Sequence, residues 1–242
     1  MLSVALIGPD GAGKTTISRK IVETLPIPAK YMYMGVNLGS SNLLLPSSRL
    51  IVGIRQSRRR DSNGGPAKDQ AEPGKTARGT FWRLLARLRP YLRLMNLLAE
   101  ECFRYWLVWR YRRRGQVVLL DRWFFADYHA YQRRVQKKPP LYDRIHRFML
   151  ERVYPKPDLV VYLEAPPSVL LARKGEGTLE SIAQSHHNYL SLRDTVRNFF
   201  IVDANRATPQ VVSDVYTLIL DFYKTRVSNN MATENHLQTR HS

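Results

Sequence analysis

Short apolar runs alternate along this chain with longer segments whose apolar positions recur every three or four residues. The runs are Leu2 to Ile7, Tyr31 to Met34 with Val36, Val117 to Leu120, Leu159 to Leu163, and Phe199 to Val202. Their length is that of strands, and their near-continuous apolarity suits burial on both faces. The first periodic segment carries Ile17, Ile21, Val22 and Leu25 and stops at Pro26-Ile27-Pro28. Phe81 to Arg89 reads as a helix, and Pro90 opens another. Along that second helix Tyr91, Met95, Leu98, Cys102, Tyr105 and Trp109 form one stripe predicted to be buried, with Arg93, Glu100 and Arg104 opposite. Trp123 to Gln136, Leu141 to Val153, Val169 to Lys174, Ser181 to Arg197 and Pro209 to Arg226 complete the helices. Five strands separated by helices predict an α/β fold, a five-stranded parallel sheet with helices on both faces.

Two regions break the alternation. Residues 38–54 are mixed and unassigned. From Ser57 to Thr80 the only apolar side chains are three alanines, interleaved with Arg58-Arg59-Arg60 and Asn63-Gly64-Gly65-Pro66. Such a composition cannot bury enough surface to offset the entropy of ordering. The expected organisation is one domain over 1–226, with a mobile basic insertion at 57–80 and a disordered polar tail at 227–242.

The loop after the first strand reads Gly8-Pro9-Asp10-Gly11-Ala12-Gly13-Lys14-Thr15-Thr16. Strand, glycine-rich loop and helix in this order are the context of a P-loop and predict a P-loop NTPase fold. Backbone N–H groups and the helix N-terminus would cradle phosphate oxygens. Lys14 would reach the β- and γ-phosphates of ATP, and Thr15 would ligate Mg²⁺. Asp121 ends an apolar strand, as a second Mg²⁺-holding acid does, and Arg122 offers a bidentate fork for another phosphate. Arg173-Lys174-Gly175-Glu176-Gly177 puts two cations on a flexible segment able to close over transferring phosphate. The adjacent His186 and His187 point about 100° apart on a helix and do not share a metal.

Charge widens the range of partners without choosing among them. The 242 residues carry a formal charge of +18, which attracts nucleotides, nucleic acid or an anionic membrane surface. A single cysteine, Cys102, excludes an internal disulfide and suits the cytoplasm. A strand begins at residue 2 with no basic leader before it, so no signal peptide is expected.

Taken together, the P-loop, Asp121-Arg122-Trp123, Arg173-Lys174-Gly175-Glu176 and Val202-Asp203-Ala204 resemble the thymidylate kinase family. Pro155 to Leu159, Ala165-Pro166-Pro167 and Leu170 to Glu176 are similar to its divergent bacterial members, often found with polysaccharide-synthesis genes. The resemblance covers 1–36 and about 100–225. It implies that Asp10 contacts the acceptor's sugar hydroxyl, that Asp121 sits beside Mg²⁺ and that Arg122 holds the acceptor phosphate. It further implies that Arg173 is a lid arginine, and that residues 203–206, with Asp203 and Asn205, back the adenine. Some family members carry an arginine where Gly11 stands, so lid cations would substitute here. The family's F-x-x-x-R is replaced by adjacent Phe103-Arg104, which makes Arg104 the acceptor-side candidate. Its R-E-P-G-G-T is echoed by Glu72-Pro73-Gly74-Lys75-Thr76, with Ala71 in place of the arginine.

The expected activity is transfer of the ATP γ-phosphoryl to a nucleoside monophosphate, dTMP or similar, with Lys14, Asp121, Arg122 and Arg173 as the catalytic set. A sugar or glycan-precursor phosphate is an alternative acceptor. A basic ATP-binding protein acting at an anionic membrane or nucleic acid is the third reading. The expected partner is a phosphorylated small molecule. Peripheral membrane contact and a homodimer stay open, and no specific nucleic acid is expected.

Overall fold

Each strand forms where β-branched and other apolar residues run together. The computed structural model of the chain describes residues 1–35, 77–132, 139–175 and 177–238. Stretch 38–54, most of the insertion at 57–80, the end of the helix expected up to Gln136, Glu176 and residues 239–242 lie outside them. The strands are β1 (Ser3–Ile7), β2 (Ala29–Tyr33), β3 (Val117–Asp121), β4 (Leu159–Glu164) and β5 (Phe199–Asp203). The helices are α1 (Lys14–Thr24), α2 (Ala77–Arg113), α3 (Phe124–Gln132), α4 (Leu141–Phe148), α5 (Pro167–Lys174), α6 (Leu179–Leu190) and α7 (Thr208–Gln238).

The chain divides into two compact units. The first is Met1–Gly35, Val108–Arg134 and Lys156–Ser242. The second is Val36–Leu107 and Val135–Pro155.

The first unit holds the sheet, in the order β2-β3-β1-β4-β5, with every pairing parallel. Val4, Leu6, Leu119, Leu159, Val161 and Leu163 point to one face and pack with Ile17 and Ile21 of α1 and Val215 and Ile219 of α7. Alternate residues point the other way and are buried too, including Ala5, Ile7, Val118 and Tyr162. On that second face Tyr162 stacks on Tyr189 of α6, with ring centroids 5.7 Å apart. Both faces therefore carry helices, as the continuous apolar runs require.

Asp158, just before β4, fastens the amino end of the sheet. It accepts from Ser3 N–H at 2.8 Å and Ser3 Oγ at 2.7 Å, and pairs with Arg112 at 3.1 Å and Arg226 at 2.5 Å. β1, the end of α2 and α7 thus meet on one carboxylate.

Several boundaries differ from those expected. α2 is one helix that begins at Ala77 and passes through Pro90. An internal proline costs about 3 kcal/mol. Burial of Leu94, Leu107 and Val108 beyond it returns roughly 1.5–3 kcal/mol each. The face expected to be buried on α2 is also rotated. Tyr91, Met95, Cys102 and Trp109 are exposed, whereas Glu100, Glu101 and Arg104 are buried with Leu94 and Tyr105. Partnering makes this burial tolerable: Arg104 Nε meets Glu100 at 3.1 Å, and His146 Nε2 meets Glu101 at 2.9 Å.

α4 ends at Phe148, and a π-helical turn, Met149–Val153, follows. α6 starts two residues before Ser181, because Thr178 and Ser181 form a reciprocal capping box. It stops at Leu190, and a 3₁₀ turn, Ser191–Asp194, replaces the helix expected up to Arg197. α7 runs on to Gln238 through the stretch expected to be a disordered tail. Among the described residues no helix is long and apolar enough to cross a membrane.

Against the upward push of burial, the hydrogen bonds from Ser3, with Arg112 and Arg226 adding to them, hold the Asp158 carboxyl below its ordinary value. Its folded pKa is depressed, so its contribution is present above the unfolded value of 3.8 and is lost as pH falls through the folded one. Asp158→Asn is expected to flatten the acid limb of a stability–pH curve measured by urea unfolding and to change its neutral plateau less. An unchanged acid limb would remove Asp158 from the fold's acid sensitivity.

Candidate functional site

β1 lies between β3 and β4, and its carboxyl end is where crossovers leave the sheet in opposite directions. The glycine-rich loop emerges there. Gly8, Gly11 and Gly13 all take positive φ, at 146°, 90° and 85°. A methyl on Gly8 would fall 2.7 Å from the Leu163 carbonyl oxygen at the end of β4. The loop therefore lies directly on the neighbouring strand, and only glycine fits at that point.

α1 begins at Lys14. Its side chain is buried and donates to the Gly8 carbonyl at 2.7 Å and the Pro9 carbonyl at 2.8 Å. Burial lowers the ammonium from the usual 10.5 to about 8, with Arg122 adding to the fall and Asp10 opposing it. Thr15 Oγ1 donates to Asp121 Oδ2 at 2.6 Å. This contact follows from the register, which sets Leu6 of β1 beside Asp121 of β3. Tyr31 Oη, from β2, donates to the same oxygen at 2.7 Å. Asp121 is fully buried, and its other oxygen, Oδ1, has no partner among the described residues. An orphaned buried carboxylate oxygen beside a threonine hydroxyl is a donor set that suits a hard divalent cation, which takes oxygen ligands and keeps several waters. No group of three or more His, Cys, Asp or Glu side chains fit to hold a metal occurs among the described residues.

Arg122 carries strain. Its φ is 80°, a left-handed conformation that costs about 1–3 kcal/mol outside glycine. Its N–H donates to the Leu6 carbonyl at 3.1 Å, which holds the turn. The guanidinium reaches Asp10 Oδ1 at 2.5 Å and lies 3.8 Å from Asp127 Oδ2. A methyl at Gly35 would come 2.6 Å from Arg122 Cδ, so glycine leaves room for this side chain.

Three cations gather on Asp10: Arg122, Lys174 at 2.8 Å and Lys14 at 3.7 Å. Burial alone would raise the Asp10 carboxyl, but Lys174, Lys14 and Arg122 outweigh it and hold it well below the usual carboxylate range. Asp127, in the first turn of α3, is buried and accepts from Tyr189 Oη at 3.0 Å. Burial pushes its carboxyl up, against the pull of Arg122 and Lys14.

Arg173 and Lys174 diverge. Lys174 joins the Asp10 cluster, while Arg173 donates to the Ala204 carbonyl at 3.1 Å, in the loop after β5. In that loop Asn205 N–H caps Asp203 Oδ1 at 2.8 Å, and Ala204 N–H donates to the Glu164 carbonyl. Glu164 Oε1 in turn meets His186 Nε2 at 2.8 Å.

Asp10, Lys14, Thr15, Asp121 and Arg122 thus converge as the sequence predicts, while Arg173, Asp203 and Asn205 stand along the β4–β5 side. Arg104 belongs to the second unit, where it is buried and paired with Glu100. Sequence reasoning missed Asp127, Tyr31 and the Glu164–His186 pair. Tyr31 and His186 enter only through the packing of β2 and α6, whereas Asp127 stands five residues after Arg122, in the first turn of the next helix. No family model matches the chain, and no curated protein matches it significantly.

The desolvation of Lys14 weighs against the folded state below pH 8 and is relieved as pH rises from about 8 toward 10.5, where the unfolded chain holds the extra proton. Lys14→Met is expected to melt no lower than wild type at pH 7, with the gap shrinking above pH 8. Calorimetry across that range checks it, and a large loss of stability at pH 7 would mean that the ammonium holds the loop together.

Proposed function

We propose that the chain is an ATP-dependent phosphotransferase of the P-loop NTPase fold, similar to thymidylate kinases. It moves the γ-phosphoryl of ATP to a phosphorylated small molecule, a nucleoside monophosphate in the first place, in the cytoplasm. The observation that carries this reading is the convergence of Lys14, the Thr15–Asp121 pair, Arg122 and Lys174 at the carboxyl end of β1. Phosphoryl transfer needs in-line positioning and neutralisation of charge more than covalent help from the protein.

Lys14 would leave its loop carbonyls for the β- and γ-phosphates. Thr15 and Asp121 would hold Mg²⁺, which neutralises phosphate charge when bound. Arg122 would grip the acceptor phosphate, on strained backbone that fixes its direction. Asp10 keeps Arg122 and Lys174 together and would take a hydroxyl of the acceptor. Arg173, with Asp203 and Asn205, would line the base of ATP.

Lys174 has a further part. A methyl on Gly11 would meet the Leu170 carbonyl oxygen at 3.2 Å, and Gly11 has φ of 90°. An arginine side chain at that position is therefore disfavoured, and α5 supplies a cation through Lys174.

A second reading keeps the reaction and changes the acceptor to a sugar phosphate. It is favoured by the half-buried Asp10 carboxylate beside Arg122 and Lys174, which suits an acceptor that presents hydroxyls next to its phosphate.

Transfer of ³²P from ATP to a panel of nucleoside monophosphates and sugar phosphates tests both. Lys14→Met should abolish transfer, and an active variant would refute the phosphate-loop assignment. Salt-sensitive binding to vesicles or nucleic acid with no transfer to any acceptor would overturn both. Lys174→Met should lower kcat by about 10²–10³, roughly 3–4 kcal/mol, the scale for losing one preorganised charge-stabilising donor. Arg173→Ala should mainly raise KM for ATP. The reverse pattern in steady-state kinetics would return the transition-state role to Arg173. Because Lys14 titrates near 8, kcat/KM for ATP should fall as pH rises through that value.

A further inference from the structure

At the amino end of the sheet, opposite the glycine-rich loop, the first unit contains a second hollow. It has a volume of about 560 Å³ and is lined by the segments that lead into β4 and β5 and by α7 between Phe222 and Asn229. That volume lies in the range of roughly 300–1,000 Å³ common to small-molecule sites. Its walls combine cations with an apolar patch. Lys156, Arg197 and Arg226 supply the charge, and Pro157, Val196 and Phe222 supply the apolar surface.

Among the described residues that line the hollow, the only carboxylate is that of Asp158. This group already pairs with Arg112 and Arg226 and accepts from Ser3, so it does not neutralise the other two cations. Two of the three cations are held in place. Arg226 is fixed by Asp158 at 2.5 Å, and Lys156 Nζ donates to the Thr195 carbonyl at 3.1 Å, which leaves it two further protons to donate. Arg197 makes no hydrogen bond or ion pair among the described residues, so its planar fork is available to an oxyanion. The Asn198 side chain donates to the Asp158 backbone carbonyl at 2.8 Å and fixes the rim where β5 begins.

We propose that this hollow is a second ligand site, taking a small molecule with a phosphate group on an apolar body. The phosphate would lie between Lys156 and Arg197, and the body would rest on Phe222. The site shares no residue with the glycine-rich loop, so it stands or falls independently of the proposed phosphotransfer.

The test is equilibrium titration of the full chain with phenyl phosphate. Lys14→Met serves as the background, to remove binding at the phosphate loop. We expect one saturable site in that background. Adding Lys156→Gln and Arg197→Gln should weaken it at least tenfold with an unchanged melting temperature. Should that combined variant fold poorly, Arg197→Glu alone is expected to give the same loss, since Arg197 has no described partner to lose. Equal affinity with and without these substitutions, or no saturable binding in the Lys14→Met background, would overturn the proposal. A parallel arm uses phosphatidylcholine vesicles containing phosphatidic acid. Binding to these alone, with none to phenyl phosphate, would assign the cations to a lipid surface and overturn the small-molecule site.

Discussion

The position of β1 constrains everything at the site. It is hydrogen-bonded to β3 on one side and β4 on the other, and its residues are buried on both faces. A strand with both edges and both faces occupied cannot shift its register without breaking two ladders and exposing two apolar faces. The loop that follows therefore leaves the sheet at one fixed point. Gly8 must clear the Leu163 carbonyl, and Leu6 lies beside Asp121. The 2.6 Å contact between Thr15 and Asp121 rests on this pairing, because α1 starts where the loop from β1 ends and Asp121 closes the neighbouring strand β3.

On this rigid base the structure places charges that do not favour folding. Lys14 is buried, Asp121 keeps an unpaired oxygen out of water, and Arg122 holds a left-handed backbone. Each feature costs free energy that the covered sheet must supply. Asp10 moderates the cost by drawing three cations to a single carboxylate. Such local expense concentrated at one strand end is what the phosphate site proposed above would require, since charge stabilisation is strongest where water is excluded and dipoles are already oriented.

The amino end of the sheet is organised differently. There a single carboxylate, Asp158, gathers Arg112, Arg226 and Ser3, and the result is mechanical: β1, the end of α2 and α7 are tied together. The second unit follows another rule. Its buried charges come in pairs, Glu100 with Arg104 and Glu101 with His146, while Met95, Leu141 and Phe148 lie exposed.

The strands, the glycine-rich loop and the acid at the end of β3 were legible in the sequence because each depends on neighbours in the chain. Apolar continuity, glycine at positive φ and the start of a helix are local properties, and they determined the α/β class, the parallel sheet and the placement of Lys14, Thr15 and Asp121. The buried face of α2, its passage through Pro90 and the extension of α7 were not legible, because helical periodicity gives a repeat without saying which phase a partner will cover. Nor could the sequence decide between Arg173 and Lys174. Adjacent helical residues point about 100° apart, and only the docking of α5 against the glycine-rich loop turned Lys174 toward Asp10 and Arg173 toward Ala204. Tyr31 and Asp127 are held by partners far away in the chain, Asp121 and Tyr189, and only tertiary packing brings such groups within hydrogen-bond range.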